Sequence, residues 1–168
     1  LRAKDPELAD KLRLLQSLPE LRDAAEALGG GKAEAKAREE ARAKLAGGAL
    51  TLRGAEGADE ARLRALTGMA RAAVEAALQL LSTRGEALCW DKEGRAWIAK
   101  LPFEKLLAAC LERGAELHRR EPLKPGFTRG ALCTGWSRNL PPKLVEKVVD
   151  RCIKQGQQVT EGEGLRLQ

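Results

Sequence analysis

The sequence has few of the residues that build aromatic cores or catalytic centres. Its 168 residues include no tyrosine, two phenylalanines, three tryptophans and one histidine, although 43% are hydrophobic. This composition is typical of a helix-rich protein whose core is packed with aliphatic side chains. No apolar run approaches the roughly 20 residues that cross a bilayer, so we expect no membrane partner.

The four cysteines do not have the spacing of a metal site. Cys89, Cys110, Cys133 and Cys152 include no C-x-x-C pair, and a single histidine is available to join them. Zinc is therefore not expected, and the pattern indicates no other metal. A helical chain without a signal-peptide pattern favours a cytoplasmic protein with reduced thiols.

The net charge of +6 is concentrated at one end of the chain. Residues 101–168 carry twelve Lys or Arg against eight Asp or Glu, whereas residues 1–48 and 49–100 are each nearly balanced. No block of like charge occurs. Composition alone therefore favours solvated helix faces with interleaved signs over nucleic-acid contact.

A helix followed by a hairpin occurs twice at a fixed distance. Val145 and Gly156 repeat Val74 and Gly85 at an offset of 71 residues. Apolar residues at helical spacing follow each valine, namely Ala77, Leu78 and Leu81 in the first copy and Val148, Val149 and Cys152 in the second. Alternating residues around a tight turn follow each glycine, with strands predicted at Ala87–Trp90, Arg95–Ala99, Gln157–Thr160 and Leu165–Leu167. We expect each glycine to end its helix in a left-handed conformation.

These patterns predict a mainly α fold with small β-wings, built from tandem winged-helix domains at residues 50–100 and 101–168. In the first domain, Asp59 caps a helix, Thr67-Gly68-Met69 forms a turn, and Arg71–Thr83 is the second helix of a helix-turn-helix. Residues 1–49 are predicted as a helical lead-in or linker, or as the leading helices of the first domain. Their last segment, Lys32–Leu45, is predicted to end at Gly47-Gly48.

The second domain is predicted to begin with a long amphipathic helix from Pro102 to about Arg120, ended by Pro122. A short helix at Arg129–Leu132 and a longer one at Pro141–Gln155 follow. His118 is interpreted as a structural residue that bonds the connector after its helix, because no nucleophile or carboxylate constellation accompanies it.

One stretch of the second domain has a spacing that is not general to winged helices. It comprises His118, Pro122, Leu123, Lys124, Pro125, Gly126, Leu132, Leu140-Pro141, Gly156 and Leu165-Arg166-Leu167. These residues resemble the C-terminal extension of SelB, the selenocysteine-specific translation elongation factors, which consists of four tandem winged helices. The resemblance covers residues 57–168. It departs from the family where Leu117 replaces an aromatic residue and Thr128-Arg129-Gly130 replaces an acid-rich helix start.

The resemblance implies a fragment formed by the first two winged helices, an arm between the tRNA-carrying body and the tip that grips the selenocysteine-insertion hairpin of the mRNA. Through the full-length protein, the implied partners are that hairpin, the ribosome and selenocysteyl-tRNA, and the implied cofactor is GTP. The chain has no G-x-x-x-x-G-K-[ST] motif, since Gly29-Gly30-Gly31-Lys32 lacks its spacing, so we expect no bound GTP and no enzymatic activity here. The RNA-reading tip is expected beyond Gln168.

Six basic residues of the second domain are candidates for weak contacts with RNA or the ribosome: Arg119, Arg120, Lys124, Arg129, Lys143 and Lys147. In the first domain, the outward positions Arg71, Glu75, Gln79 and Ser82 indicate a poor phosphate-binding face. Trp90 and Trp97 are predicted to pack across the wing strands rather than to stack on bases.

Two alternatives stay open. A DNA-binding winged-helix transcription regulator would need a basic recognition helix and usually a two-fold dimer, and Pro141–Gln155 offers four cations but also two acids. A winged-helix scaffold for protein partners would need neither.

Overall fold

The structure is a computed structural model that describes residues 18–19, 32–124, 126–154, 158–161 and 164–167. The chain divides into two compact units, Leu1–Lys100 and Leu101–Gln168.

Within residues 32–100, the first unit contains three helices and a three-stranded antiparallel sheet. Its elements are α1 (Lys32–Arg53), a 3-10 turn (Gly54–Glu56), β1 (Ala58–Asp59), α2 (Glu60–Thr67), α3 (Arg71–Thr83), β2 (Ala87–Asp91) and β3 (Ala96–Ala99). The strand order is β1-β3-β2. The predicted cap of α2 is confirmed, since Asp59 Oδ1 accepts the Arg62 N–H at 2.7 Å. The predicted bounds of α3 are also confirmed.

Helix α1 does not end at Gly47-Gly48, and that prediction is wrong. The helix runs through both glycines to Arg53 because its apolar face packs on α3. Its contribution to the core is Ala43, Ala46, Ala49 and Leu50, all of them at most 1% exposed. The boundary predicted at residue 49 therefore falls inside a helix of the first unit. Residues 1–17 and 20–31, the remainder of the predicted lead-in, lie outside the described residues.

Small residues on α1 let aliphatic side chains of the other elements complete this core. The same core cluster contains buried side chains from α2, α3 and the sheet, namely Ala58, Leu63, Val74, Ala77, Leu78, Leu81, Ala87 and Ala99. Arg84, just after α3, forms an ion pair with Glu40 of α1. The three helices and the hairpin thus form one packed unit.

Helix α3 ends at a glycine in a left-handed conformation, as predicted for this position. Gly85 has φ +69°, its N–H donates to the carbonyl of Ser82 at 3.0 Å, and the next N–H, of Glu86, donates to that of Leu81 at 2.8 Å. These bonds satisfy carbonyls at the helix end and turn the chain into β2. Gly156, for which the same was predicted, lies outside the described residues.

The two tryptophans of the hairpin are not direct cross-strand partners. Trp97 lies opposite Cys89, and Trp90 falls in an irregularity between Cys89 and Asp91. Trp97 packs partly against the core. The Trp90 ring lies beside Gly57, where an added Cβ would approach Trp90 Nε1 to 3.1 Å. The irregularity in β2 thus removes Trp90 from the residue-to-residue register with β3.

The second unit repeats the three helices and the hairpin of the first in the same order. Its elements are α4 (Lys100–Arg120), α5 (Arg129–Cys133), α6 (Pro142–Lys154), β4 (Gln158–Glu161) and β5 (Gly164–Leu167), with β4 and β5 antiparallel. Helices α3 and α6 both have 13 residues and begin 71 positions apart. Val148, Val149 and Cys152 are buried as predicted, but Val145 is only half-buried and Leu144 is buried in its place. The buried stripe of α6 is therefore turned slightly about the helix axis relative to that of α3.

Contacts between the long helix and its surroundings hold the second unit together. The ring of His118, on α4, meets that of Phe127 edge-on, with centroids 4.8 Å apart. The Cys110 and Cys152 side chains, buried on α4 and α6, are hydrogen-bonded, which lowers the pKa of the Cys152 thiol against the opposing effect of burial. All four cysteines are free thiols.

Within the described ranges, no helix is long and apolar enough to span a membrane and no cluster of metal-ligating side chains occurs.

Candidate nucleic-acid interface

The six basic residues predicted to contact RNA lie on three parts of the second unit. Arg119 and Arg120 are in the last turn of α4, and Lys124 is in the connector that follows. Arg129 begins α5, and Lys143 and Lys147 are exposed on α6. Position and ion pairing separate these residues into two groups.

Two of the three cations at the end of α4 are paired with nearby acids, and Arg119 forms no ion pair with a described residue. Arg120 Nη2 lies 2.5 Å from Glu116 Oε1, and Lys124 is paired with Glu121. The hydrogen bond from Arg113 to Glu116, with the positive charge of Arg120 near it, holds the pKa of the Glu116 carboxyl below its usual range. Such exposed pairs are weak and screened by salt, but they reduce the net field of this end of the helix.

The group on α6 is connected to α5 by an ion pair. Arg129 Nη2 lies 2.7 Å from Asp150 Oδ1, so the acid in the middle of the exposed face of α6 is paired with a cation of the preceding helix. Arg129, Lys143 and Lys147 thus belong to one surface. No contact described for the second unit joins Arg119, Arg120 or Lys124 to it.

Two cations outside the predicted set extend the α6 surface. Arg151 and Lys154 are exposed and lie four and seven residues after Lys147, on the same side of the helix. Helical spacing from Lys143 is the signal that finds them in the sequence. The surface therefore covers the whole length of α6.

The corresponding helix of the first unit is occupied by its own hairpin. Arg71 Nε and Arg95 Nη1 lie 2.9 and 2.7 Å from the same oxygen of Glu75, and Arg95 Nη1 also lies 3.0 Å from Glu60 Oε2. Hydrogen bonds from Arg71 and then Arg95 hold the pKa of the Glu75 carboxyl below its usual range. Arg71 and Arg95 are thus each paired with an acid, in agreement with the poor phosphate-binding face expected from the sequence, whereas Arg64 of α2, which lines the same pocket, forms no ion pair with a described residue.

A second surface of α3 is apolar. Between α1 and α3 lies a cavity of about 490 Å³ whose α3 wall includes Ala72, Ala73, Ala76 and Leu80. Its charged rim is formed by Glu39 and Arg42 of α1. Arg71 is the one cation of α3 itself, and it is paired with Glu75, so the helix contributes no unpaired cation that could bind a phosphate.

A helix-turn-helix followed by a two-stranded antiparallel hairpin, present twice in the same chain order, defines a tandem winged-helix protein. Residues 111–167 match the family model described as "Elongation factor SelB, winged helix", specifically its second such domain. The chain is also 36% identical over 118 residues to a selenocysteine-specific elongation factor of Desulfomicrobium baculatum. That match covers 70% of this chain and 19% of the relative, so the chain spans about a fifth of the relative's length.

The chain belongs to the winged-helix region of the SelB family. The matched residues contain His118 and the proline-rich connector after it, on which the resemblance in the sequence rested.

Proposed function

We propose that this chain is a structural arm of a selenocysteine-specific elongation factor. It links the body that carries selenocysteyl-tRNA and GTP to the winged helix that binds the selenocysteine-insertion hairpin of the mRNA. The support comes from the family match of the second unit and from the relative, whose name is that of the whole factor. The arm itself would hold no GTP and catalyse no reaction, and would act where translation occurs, in the cytoplasm.

The observation that carries the proposal is the neutralised face of α3. A winged helix that reads a nucleic acid presents its second helix to a groove, with cations free to meet phosphates. Here Arg71 and Arg95 both bond Glu75, so the helix that would read a groove is engaged with its own wing. A domain of this kind is suited to connection rather than recognition.

A titration of the purified 168-residue chain tests the proposal. The ligands are the selenocysteine-insertion hairpin, a hairpin of scrambled sequence and a random DNA duplex library, each at two salt concentrations. An arm binds both hairpins equally and weakly, and its binding falls steeply with salt, because only a few phosphates can be neutralised. Selective binding of the insertion hairpin that persists at high salt would overturn the proposal. Selection of one DNA sequence by about 10³-fold over random DNA would replace it with a transcription regulator.

A further inference from the structure

Four cations form a line along the exposed side of α6, and we call this line the cationic stripe. It consists of Lys143, Lys147, Arg151 and Lys154, all of them exposed. Their spacing in the sequence places them on one side of the helix over about 16 Å, since a helix rises about 1.5 Å per residue. Lys147, Arg151 and Lys154 form no ion pair with any residue in the described part of the chain.

The acids on this side of α6 do not cancel the stripe. Asp150 is paired with Arg129, which adds a fifth cation from α5 to the same surface. Glu146 is the other exposed acid of the helix. The four cations and two acids of α6, with Arg129 of α5, leave an excess of three positive charges on this surface.

The fold itself does not require this charge. At the 71-residue offset of the repeat, the stripe corresponds to Ala72, Ala76, Leu80 and Thr83 of α3, none of which is charged. The first unit builds the same kind of helix with these residues and lines an apolar cavity with all four. The cations of α6 therefore belong to a property of the second unit that is separate from its folding.

The side chains of the stripe suit phosphates rather than bases. Apart from Pro142, every exposed residue of α6 within 142–154 is charged, and none carries an amide or an aromatic ring. Base reading relies largely on Asn, Gln and Arg held against base edges. The stripe has no amide and one arginine, and its other three cations are lysines, which act as point charges that suit phosphate oxygens. Cations four residues apart lie about 6 Å apart along the helix axis, and can meet successive phosphates of one strand.

We infer that the cationic stripe binds the phosphate backbone of double-helical RNA without reading its sequence. The choice of RNA rests on the proposed function, while the choice of backbone rests on the stripe. The major groove of A-form RNA is too deep and narrow for side chains to read, so a helix meets such a duplex at its phosphates. The stripe thus gives the second unit a contact that is independent of the RNA sequence.

The test compares the 168-residue chain with two double variants on a labelled RNA duplex of arbitrary sequence. Lys147→Gln/Arg151→Gln removes two stripe cations. Arg62→Gln/Arg64→Gln is the matched control, because it removes two exposed arginines of α2 that form no ion pair with a described residue. Both variants lower the net charge by two, and circular dichroism checks that both fold.

Salt dependence separates the expected results. With three phosphate contacts, from Lys147, Arg151 and Lys154, the affinity of the wild type falls about 40-fold between about 50 and 200 mM salt, and that of the stripe variant, which keeps one of them, about 3-fold. The control variant retains the steep dependence of the wild type. A second RNA duplex of unrelated sequence binds equally.

Several results would overturn the inference that the cationic stripe binds RNA. One is an absence of binding to the RNA duplex at the lower salt, and another is tighter binding to a DNA duplex than to RNA. The others are an equal salt dependence of affinity in the wild type and the stripe variant, or a control variant that loses as much affinity and salt dependence as the stripe variant. These results are distinct from a failure of the arm, which is measured by selectivity for the insertion hairpin over its scrambled form. A chain can bind RNA through the stripe and still be hairpin-selective, or lack both properties.

Discussion

Arg95 Nη1 lies 2.7 Å from Glu75 Oε1, and this contact ties the tip of the first wing to the helix that would read a groove. Arg95 has φ +49°, a conformation that is unfavourable for a residue with a Cβ. Its guanidinium also meets Glu60 of α2, so two acids from two helices hold the wing tip in place. The wing of the first unit is therefore positioned by ion pairs as well as by its strands.

Acid should weaken the first unit partly through Glu75. Hydrogen bonds from Arg71 and Arg95 lower the pKa of the Glu75 carboxyl in the folded state. The ionised carboxylate therefore stabilises the fold at every pH above its unfolded pKa of about 4.5. This stabilisation is lost as the pH falls through the lower pKa of the folded state. We expect Glu75→Gln to narrow the difference in urea midpoint between about pH 7 and about pH 3.

The control is Glu86→Gln, since Glu86 is exposed and its side chain forms no ion pair with a described residue. Tryptophan fluorescence in a Trp136→Phe background reports on the first unit, because the other two tryptophans, Trp90 and Trp97, lie there. Equal acid sensitivity in the wild type and Glu75→Gln would contradict a role for the ion pairs.

Gly57 and Gly85 should differ in their tolerance of a side chain although both have positive φ. A Cβ at Gly57 would lie 2.2 Å from the Trp97 carbonyl oxygen, a backbone atom that can move only with β3. A Cβ at Gly85 would meet nothing within 4 Å. Gly85→Ala should therefore lower the free energy of unfolding by about 1 kcal/mol, the penalty for a left-handed conformation with a Cβ. Gly57→Ala should lower it by about 2 kcal/mol or more.

Urea unfolding in the Trp136→Phe background measures both glycine variants. Both glycines have positive φ, +64° and +69°, but Gly57 also has ψ −162°, a region that essentially only glycine populates, so its conformation and its surroundings both disfavour a side chain. Equal losses of stability in the two variants would show that neither the backbone conformation of Gly57 nor the approach of β3 is a constraint in solution.

Local pattern predicts the elements whose ends are marked by capping residues. Helix α3 has an apolar period, and Gly85 terminates it with a main-chain bond pattern that glycine favours, so its bounds follow from the sequence. Strand β1 has two residues and exists only by pairing with β3, far along the chain, so no local signal indicates it. The ion pairs of Arg95 join residues 20 and 35 positions away, and charge patterning along one helix does not reveal them.

The cations of α6 were partly accessible to sequence reasoning. Lys143 and Lys147 belong to the predicted set, and the same helical spacing extends to Arg151 and Lys154. The pairing of Arg129 with Asp150, by contrast, depends on how α5 meets α6 and becomes known only from the fold. The predicted contact of these residues with RNA stays a prediction.

Gly47 provides a test of helix α1, where the sequence pattern and the structure disagree. A Cβ at this position would lie 3.6 and 3.8 Å from the two methyl carbons of Leu81, which is ordinary van der Waals contact. Glycine inside a helix costs about 0.5–1 kcal/mol relative to alanine. Gly47→Ala should therefore stabilise the first unit by about that amount.

The measurement is the urea midpoint of Gly47→Ala in the Trp136→Phe background, with Gly47→Leu as the matched large variant. Leucine at this position extends past the Cβ into the Leu81 side chain, which is 3% exposed in the core, so it should destabilise the unit by about 1–3 kcal/mol through overpacking. A stabilising alanine with a destabilising leucine is the result expected for a continuous helix against α3. If α1 instead ended before Gly47, residue 47 would be free of Leu81 and both variants would leave the midpoint nearly unchanged.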